Sequence, residues 1–154
     1  MYISIAAENK KNSVAFNNYK VKFSELHNIT KQYHYSVISY KDGYRKGSNF
    51  QGVSMLALDI DDGDSIQKVK KKLEGYQYLL VTTLHHQLSI KNGKPITPTD
   101  KYRLFFPLEE PITDPAEYQA IIKGLIQEFK ADEKCCDLGR FFYSNPNQEV
   151  HYGE

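Results

Sequence analysis

A chain of 154 residues with 40% hydrophobic and 25% charged residues is large enough for one cored domain and too short for two ordinary ones. Its composition excludes a disordered or fibrous protein, and a net charge of +1 excludes the strongly basic kind that coats nucleic acid, although twelve Tyr and eight Phe remain available for stacking. No apolar run approaches the roughly 20 residues of a bilayer span, and the N-terminus lacks the basic-then-apolar layout of a secretion signal; a cytoplasmic location without a membrane partner is therefore expected.

In chain order, Met1 to Ala7 alternates like a short strand, and Ser24 to Ile29 can open a helical turn. Aromatic and β-branched residues make Tyr33 to Tyr40 a strand, Lys41-Asp42-Gly43 is a turn, and Tyr44 to Asn49 is a return strand or loop. The apolar strand Met55 to Ile60 follows and ends in Asp59-Ile60-Asp61-Asp62-Gly63. Asp64 or Ser65 can cap a helix in which Ile66, Val69 and Leu73 share a face, until Gly75 stops it. Tyr76 to Leu84 reads as a buried strand, so this strand, helix, strand unit predicts a parallel pair joined by a right-handed crossover. Gln87 to Asp100 is a polar loop with a hairpin tip at Asn92-Gly93, and Tyr102 to Leu108 returns as a strand. Asp114-Pro115-Ala116-Glu117 starts a helix whose apolar stripe is Tyr118, Ile121, Ile122, Leu125, Ile126 and Phe129. Arg140 to Ser144 reads as a last strand, and residues 145 to 154 as an irregular tail. The adjacent Cys135 and Cys136 suit neither an ordinary disulfide nor a zinc site, and are read as reduced and buried or half-buried.

Chemistry gathers at strand ends. Strand alternation puts Asp59 and Asp61 on one face, where two like charges repel unless a hard divalent cation such as Mg²⁺ or Mn²⁺ sits between them, commonly with a substrate phosphate as its further partner. Three further polar islands are Thr82 to Gln87, Lys101-Tyr102-Arg103, and Asp132 with Arg140. Each has a plainer explanation. Asp62 to Ser65 can serve only as turn and cap, and Lys68 to Lys72 as the solvated face of a helix. Adjacent His85 and His86 point to opposite faces if extended, so at least one is a surface or core histidine. Arg103 can pair with Glu109 or Glu110, and Asp132 can be a loop residue, with Asp137 its local competitor.

Together the islands resemble the archaeo-eukaryotic primase superfamily, most closely its phage and plasmid primase-polymerase branch. The resemblance spans residues 45 to 146: Asn49-Phe50, Asp59-Ile60-Asp61-Asp62-Gly63, Thr82-Thr83 with His86-Gln87, Tyr102-Arg103-Leu104-Phe105-Phe106-Pro107-Leu108, and Asp132 eight residues before Arg140-Phe141-Phe142-Tyr143. It implies Asp59, Asp61 and Asp132 as metal ligands, and Arg140 as a contact to the incoming nucleoside triphosphate. It implies a histidine of the second motif, where Thr83-Leu84-His85 fits by spacing and His86 fits the phage pattern better. Arg103 competes with that histidine for the phosphate-facing position.

The implied fold is α+β, a mixed, largely antiparallel sheet with helices packed on one side and the site on the other. One catalytic domain is expected over 1–154: N-terminal strands and hairpin to residue 50, a catalytic core at 51–146, and a tail at 147–154. The implied activity is a DNA-dependent nucleotidyltransferase that makes or extends primers on single-stranded DNA with Mg²⁺ or Mn²⁺, partnered by nucleoside triphosphates and by a replicative helicase or C-terminal helicase domain. Alanine at Asp59 or Asp61 is expected to abolish incorporation without unfolding the chain. The main rival is a non-catalytic nucleic-acid-binding module of the same fold for replication initiation. An Asp-x-Asp phosphatase is disfavoured by Asp62-Gly63, and a nickase by the lack of two histidines sharing a face.

Overall fold

The computed structural model describes residues 1–154. β1 (Tyr2–Ala6) pairs antiparallel with β2 (Phe16–Lys20) on one side and β3 (Tyr35–Ser36) on the other. β2 carries no clear apolar alternation, since only Phe16 is buried along it. Between them lies α1 (Leu26–Gln32), the helical turn expected after Ser24. The Tyr33 to Tyr40 stretch is divided at Val37, and β4 (Ile38–Tyr40) leaves the small sheet for the main one by pairing with β5 (Phe50–Ile60). Residues 44–49 form no strand, only a single bridge from Tyr44 to Ala15 and a 3-10 turn over Gly47–Asn49, so the return strand of the hairpin is the acidic strand itself. At its turn Gly43 has φ +67, and a Cβ there would lie 2.3 Å from the carbonyl oxygen of Phe16.

The chain continues through α2 (Ile66–Lys72), β6 (Tyr78–Thr82), β7 (Ile90–Lys91), β8 (Lys94–Pro95), β9 (Tyr102–Ile112), α3 (Pro115–Phe129) and β10 (Val150–Gly153). The main sheet has the order β10-β6-β9-β5-β4, and every neighbouring pair in it is antiparallel. The expected parallel pair is therefore corrected: β5 and β6 run in the same direction, but β9 lies between them. β9 is eleven residues long and alternates Tyr102, Leu104 with Arg103, Phe105, all buried, so it supplies a ladder to both neighbours. The connection is a split β-α-β unit. β7 and β8 form the expected small hairpin, with Asn92 and Gly93 at φ 53 and 74 as a two-residue turn needs.

The two faces of the sheet differ in what covers them. Leu56, Leu58 and Ile60 of β5 share a face with Phe106, whose ring centroid is 5.7 Å from that of Phe129 in α3. α2 lies beside α3, joined by Lys72 Nζ donating to the Glu128 carbonyl at 2.8 Å. Asp114 caps α3 by accepting from the N–H groups of Ala116 and Glu117, and Tyr118, Ile122 and Phe129 are its buried residues, while Ile121 stays at the surface. Asp59, Arg103 and Phe105 occupy the opposite face, against Tyr35 of the N-terminal sheet. One hydrophobic cluster includes Ile3 and Tyr35 with Leu58 and Phe105, so both sheets share a core. The fold is α+β as expected, with α2 and α3 on one side and the acidic strand end turned to the other.

The end of the chain differs from expectation in two places. Arg140 to Ser144 is not a strand: it makes one bridge, Phe142 with Tyr35, because β3 is only two residues long and offers a single rung. The tail is not irregular throughout, since β10 adds an edge strand to β6. No helix is long and apolar enough to cross a membrane.

Candidate active site

β5 delivers Asp59 directly opposite Arg103 of β9. Their side chains, 9% and 8% exposed, form a 2.6 Å ion pair between Arg103 Nε and Asp59 Oδ1. Arg103 also donates to the Tyr35 hydroxyl at 2.6 Å and lies 4.2 Å over the Phe142 ring. Burial opposes the charge of Arg103, but Asp59 and Tyr35 outweigh it and raise its pKa, so the guanidinium remains cationic. Burial likewise pushes the Tyr35 phenol up to about 12, keeping it a neutral hydroxyl. Arg103 is thus a fixed charge, paired with Asp59 rather than with Glu109 or Glu110.

The third acid arrives from the turn after α3. The Asp132 N–H donates to the Asp59 carbonyl at 2.8 Å, which ties that turn to the acidic strand. Arg140 then spans both carboxylates, with NH2 at 3.0 Å from Asp59 Oδ2 and 3.7 Å from Asp132 Oδ2. The Nε of Arg140 is buried without a hydrogen-bond partner. Asp132 also accepts from the Lys134 N–H, so it serves as a cap as well. Asp137, its competitor, accepts from Gly139 N–H in a local turn. Below the acids, Cys135 Sγ accepts from the Asp59 N–H at 3.3 Å; Cys135 is buried, Cys136 half-buried, and both are free thiols.

Asp61, one residue past the end of β5, stands at the mouth of the site, open to solvent on one side, with no salt bridge of its own. Packing beneath it raises its pKa, Asp59 and Asp132 raise it further, and Lys101 and Arg103 pull the other way. Asp132 is tied to Asp59 through their shared Arg140. Gly63 lets the chain turn tightly behind them, since a Cβ there would meet Ile60 Cγ2 at 2.7 Å. No three Asp, Glu, His or Cys side chains are disposed as a ready metal site. Two arginines, rather than a ready cation seat, meet the charge of Asp59. The donor set nevertheless fits a hard divalent cation. It consists of carboxylate oxygens, and Asp61 makes no salt bridge of its own.

These residues open into a cavity of about 540 Å³. Asp59 and Asp61 are its acids; Lys91, Lys101, Arg103 and Arg140 are its cations, a surplus of positive charge suited to a polyanion. Thr83 and His85 lie on one wall, and Phe141, Phe142 and Tyr143 on another. His86 is not among the lining residues, because its Nδ1 accepts from the Lys101 N–H at 3.0 Å and its ring is spent on holding the loop. The placement runs against a phosphate-facing His86 and toward His85. Tyr35, Lys91 and the Phe141 to Tyr143 rings were not legible as site residues. The only signals were the Asn92-Gly93 turn that presents Lys91 and the aromatic run after Arg140.

No protein-family model matches the chain, and no curated protein matches it. Among solved structures it is similar to the AEP domain of the primase-polymerase of cyanophage S-2L, with a TM-score of 0.51 and 14% identity, over 99% of this chain and 80% of that one. The two chains share a fold. At 14% identity the likeness reaches the arrangement of strands and helices alone.

Proposed function

We propose that this chain is a nucleotidyltransferase of the primase-polymerase kind, which makes or extends primers on a single-stranded DNA template. The observation that carries the reading is Arg140 NH2 lying between Asp59 and Asp132, at a cavity lined by Asp59, Asp61 and four cations. Acids from two distant segments joined by one arginine, at a cavity with a surplus of positive charge, are the parts that nucleotide transfer needs. The fold shared with a primase-polymerase domain agrees with it.

Asp59, Asp61 and Asp132 would hold Mg²⁺ or Mn²⁺. Bound there, the ions would ease deprotonation of the primer 3′ hydroxyl and offset charge on the leaving pyrophosphate. Arg103, immobilised by Asp59, Tyr35 and the Phe142 ring, contributes a fixed positive field at the cavity floor. Lys101, Arg140 and His85 position the triphosphate from the walls, with Thr83 beside them. Phe141 and Tyr143 offer stacking faces for a base. All these residues fall within 51–146, the proposed catalytic core, while Tyr35 reaches in from the first fifty residues.

A second reading, a binding module without catalysis, is favoured by the closed pairing of Asp59 with two arginines, which satisfies that acid without any ion. Incubation with labelled nucleotides, single-stranded template and Mn²⁺ or Mg²⁺, with and without primer, separates the two. Incorporation that vanishes on chelation is expected. Template binding with no incorporation under any of these conditions would overturn the enzymatic reading.

A further inference from the structure

Arg140 holds an awkward position for a purely structural residue. Its NH2 divides between two carboxylates at 3.0 and 3.7 Å, its side chain remains 24% exposed, and its buried Nε donates to nothing. Arg103, by contrast, is 8% exposed, engages Asp59 through Nε and Tyr35 through NH1, and lies 4.2 Å over the Phe142 ring, closer than the 5.3 Å of Arg140. A buried donor without an acceptor costs free energy that another conformation can recover. The acids that Arg140 bridges are the ones any cation must share.

We infer that Arg140 is a displaceable internal counter-cation, which fills the seat between Asp59 and Asp132 until nucleotide phosphates draw its guanidinium into the cavity. This deepens the function proposed above and rests on it. While Arg140 bridges the two acids, a divalent ion must compete with a covalently tethered charge, so binding to the free protein is weak. Once the guanidinium turns to the phosphates, Asp59 Oδ2 and Asp132 Oδ2 are released together. The acidic seat then becomes available when a triphosphate is present to use it. Arg103 does not take part, because its aromatic and hydroxyl contacts hold it whichever way Arg140 points.

The test is Mn²⁺ affinity of the nucleotide-free protein, read by isothermal titration and by the electron paramagnetic resonance of unbound Mn²⁺. Wild type is compared with Arg140→Met, with Arg140→Gln should the methionine variant fail to fold, and with Lys91→Met, which removes a cation from the same cavity that bridges no acids. Arg140→Met is expected to tighten Mn²⁺ binding by about 10-fold, as losing a charged hydrogen-bonded competitor predicts. Lys91→Met is expected to change it by less than about 3-fold, and adding Asp61→Ala to Arg140→Met should abolish the gain. Equal affinities for wild type and Arg140→Met, both lost on Asp61→Ala, would overturn the counter-cation role and leave the proposed metal site standing. An equal gain from Lys91→Met would reduce Arg140 to a general electrostatic effect and also overturn it. No Mn²⁺ binding by any of these proteins would overturn both the role and the metal site.

Discussion

Asp59→Ala separates structure from chemistry at this site. The carboxylate pairs with Arg103 at 2.6 Å, both side chains being under a tenth exposed, and with the more exposed Arg140 at 3.0 Å. Charge centres about 4 Å apart at an effective dielectric near 20 attract by about 4 kcal/mol, and stripping one partner from a buried pair costs about 3–5 kcal/mol. Arg103 retains the Tyr35 hydroxyl, and at 3.4 Å the Tyr143 carbonyl, as acceptors, so the lower end, about 3 kcal/mol, is expected. For a chain of this size that lowers Tm by roughly 6–12 °C, and the urea midpoint by about 1.5 M at an m-value near 2 kcal/mol/M. Far-UV circular dichroism suits the measurement, because the chain has no Trp. Asp61→Ala, at an open position without a salt bridge, should stay within about 0.5 kcal/mol of wild type. Both variants are thus expected to remain folded at 25 °C, Asp59→Ala with a lowered melting point and Asp61→Ala close to wild type. Asp59→Ala melting within 1 °C of wild type, or Asp61→Ala falling equally far, would refute this reasoning.

Three further outcomes follow from the same geometry. His85→Ala should weaken nucleoside triphosphate binding, measured by fluorescence anisotropy, whereas His86→Ala should leave affinity within about 3-fold and instead speed proteolysis of residues 84–100, whose anchor is His86 Nδ1 on the Lys101 N–H. Burial lowers the pKa of His34, whose Nδ1 accepts from the Ser144 N–H at 3.1 Å. The folded state therefore prefers the neutral ring: its stabilisation is complete above the unfolded value near 6.5 and is lost as pH falls from there through the folded pKa. Tm measured across that range should fall less for His34→Asn than for wild type; parallel curves would remove His34 as the cause. Burial pushes the Cys135 thiol up to about 11, so iodoacetamide on the native chain at pH 8 should label Cys136 alone, as read by mass spectrometry.

Local rules made most elements legible. Asp114-Pro115 and Ser65 act as the caps their types predict, Asn92-Gly93 makes its turn, and the apolar run into Asp59 forms a buried strand. What stayed hidden was long-range pairing. Nothing in the residues from Tyr76 to Leu84 says that β9 will insert between them and β5, and a split unit has the same local pattern as a parallel crossover. The short strands β2 and β10 were missed because one buried Phe or a four-residue edge gives too little periodicity to read. At the site, acids and arginines were nameable because charged residues at strand ends are conspicuous. Their pairing was not: whether Arg103 meets Glu109, Glu110 or Asp59 depends on the β5–β9 register, and Tyr35 enters only through the N-terminal sheet. The choice between His85 and His86 was a matter of which face the loop turns inward, fixed by a backbone N–H of Lys101.

The most direct measurement is the anomalous signal of Mn²⁺ in crystals grown with a non-hydrolysable nucleoside triphosphate. The account predicts manganese among Asp59, Asp61 and Asp132, the triphosphate against Lys101 and Arg140, and Arg103 still on Asp59. A triphosphate bound elsewhere, or manganese on its phosphates but away from Asp61 with Arg140 still bridging Asp59 and Asp132, would contradict it.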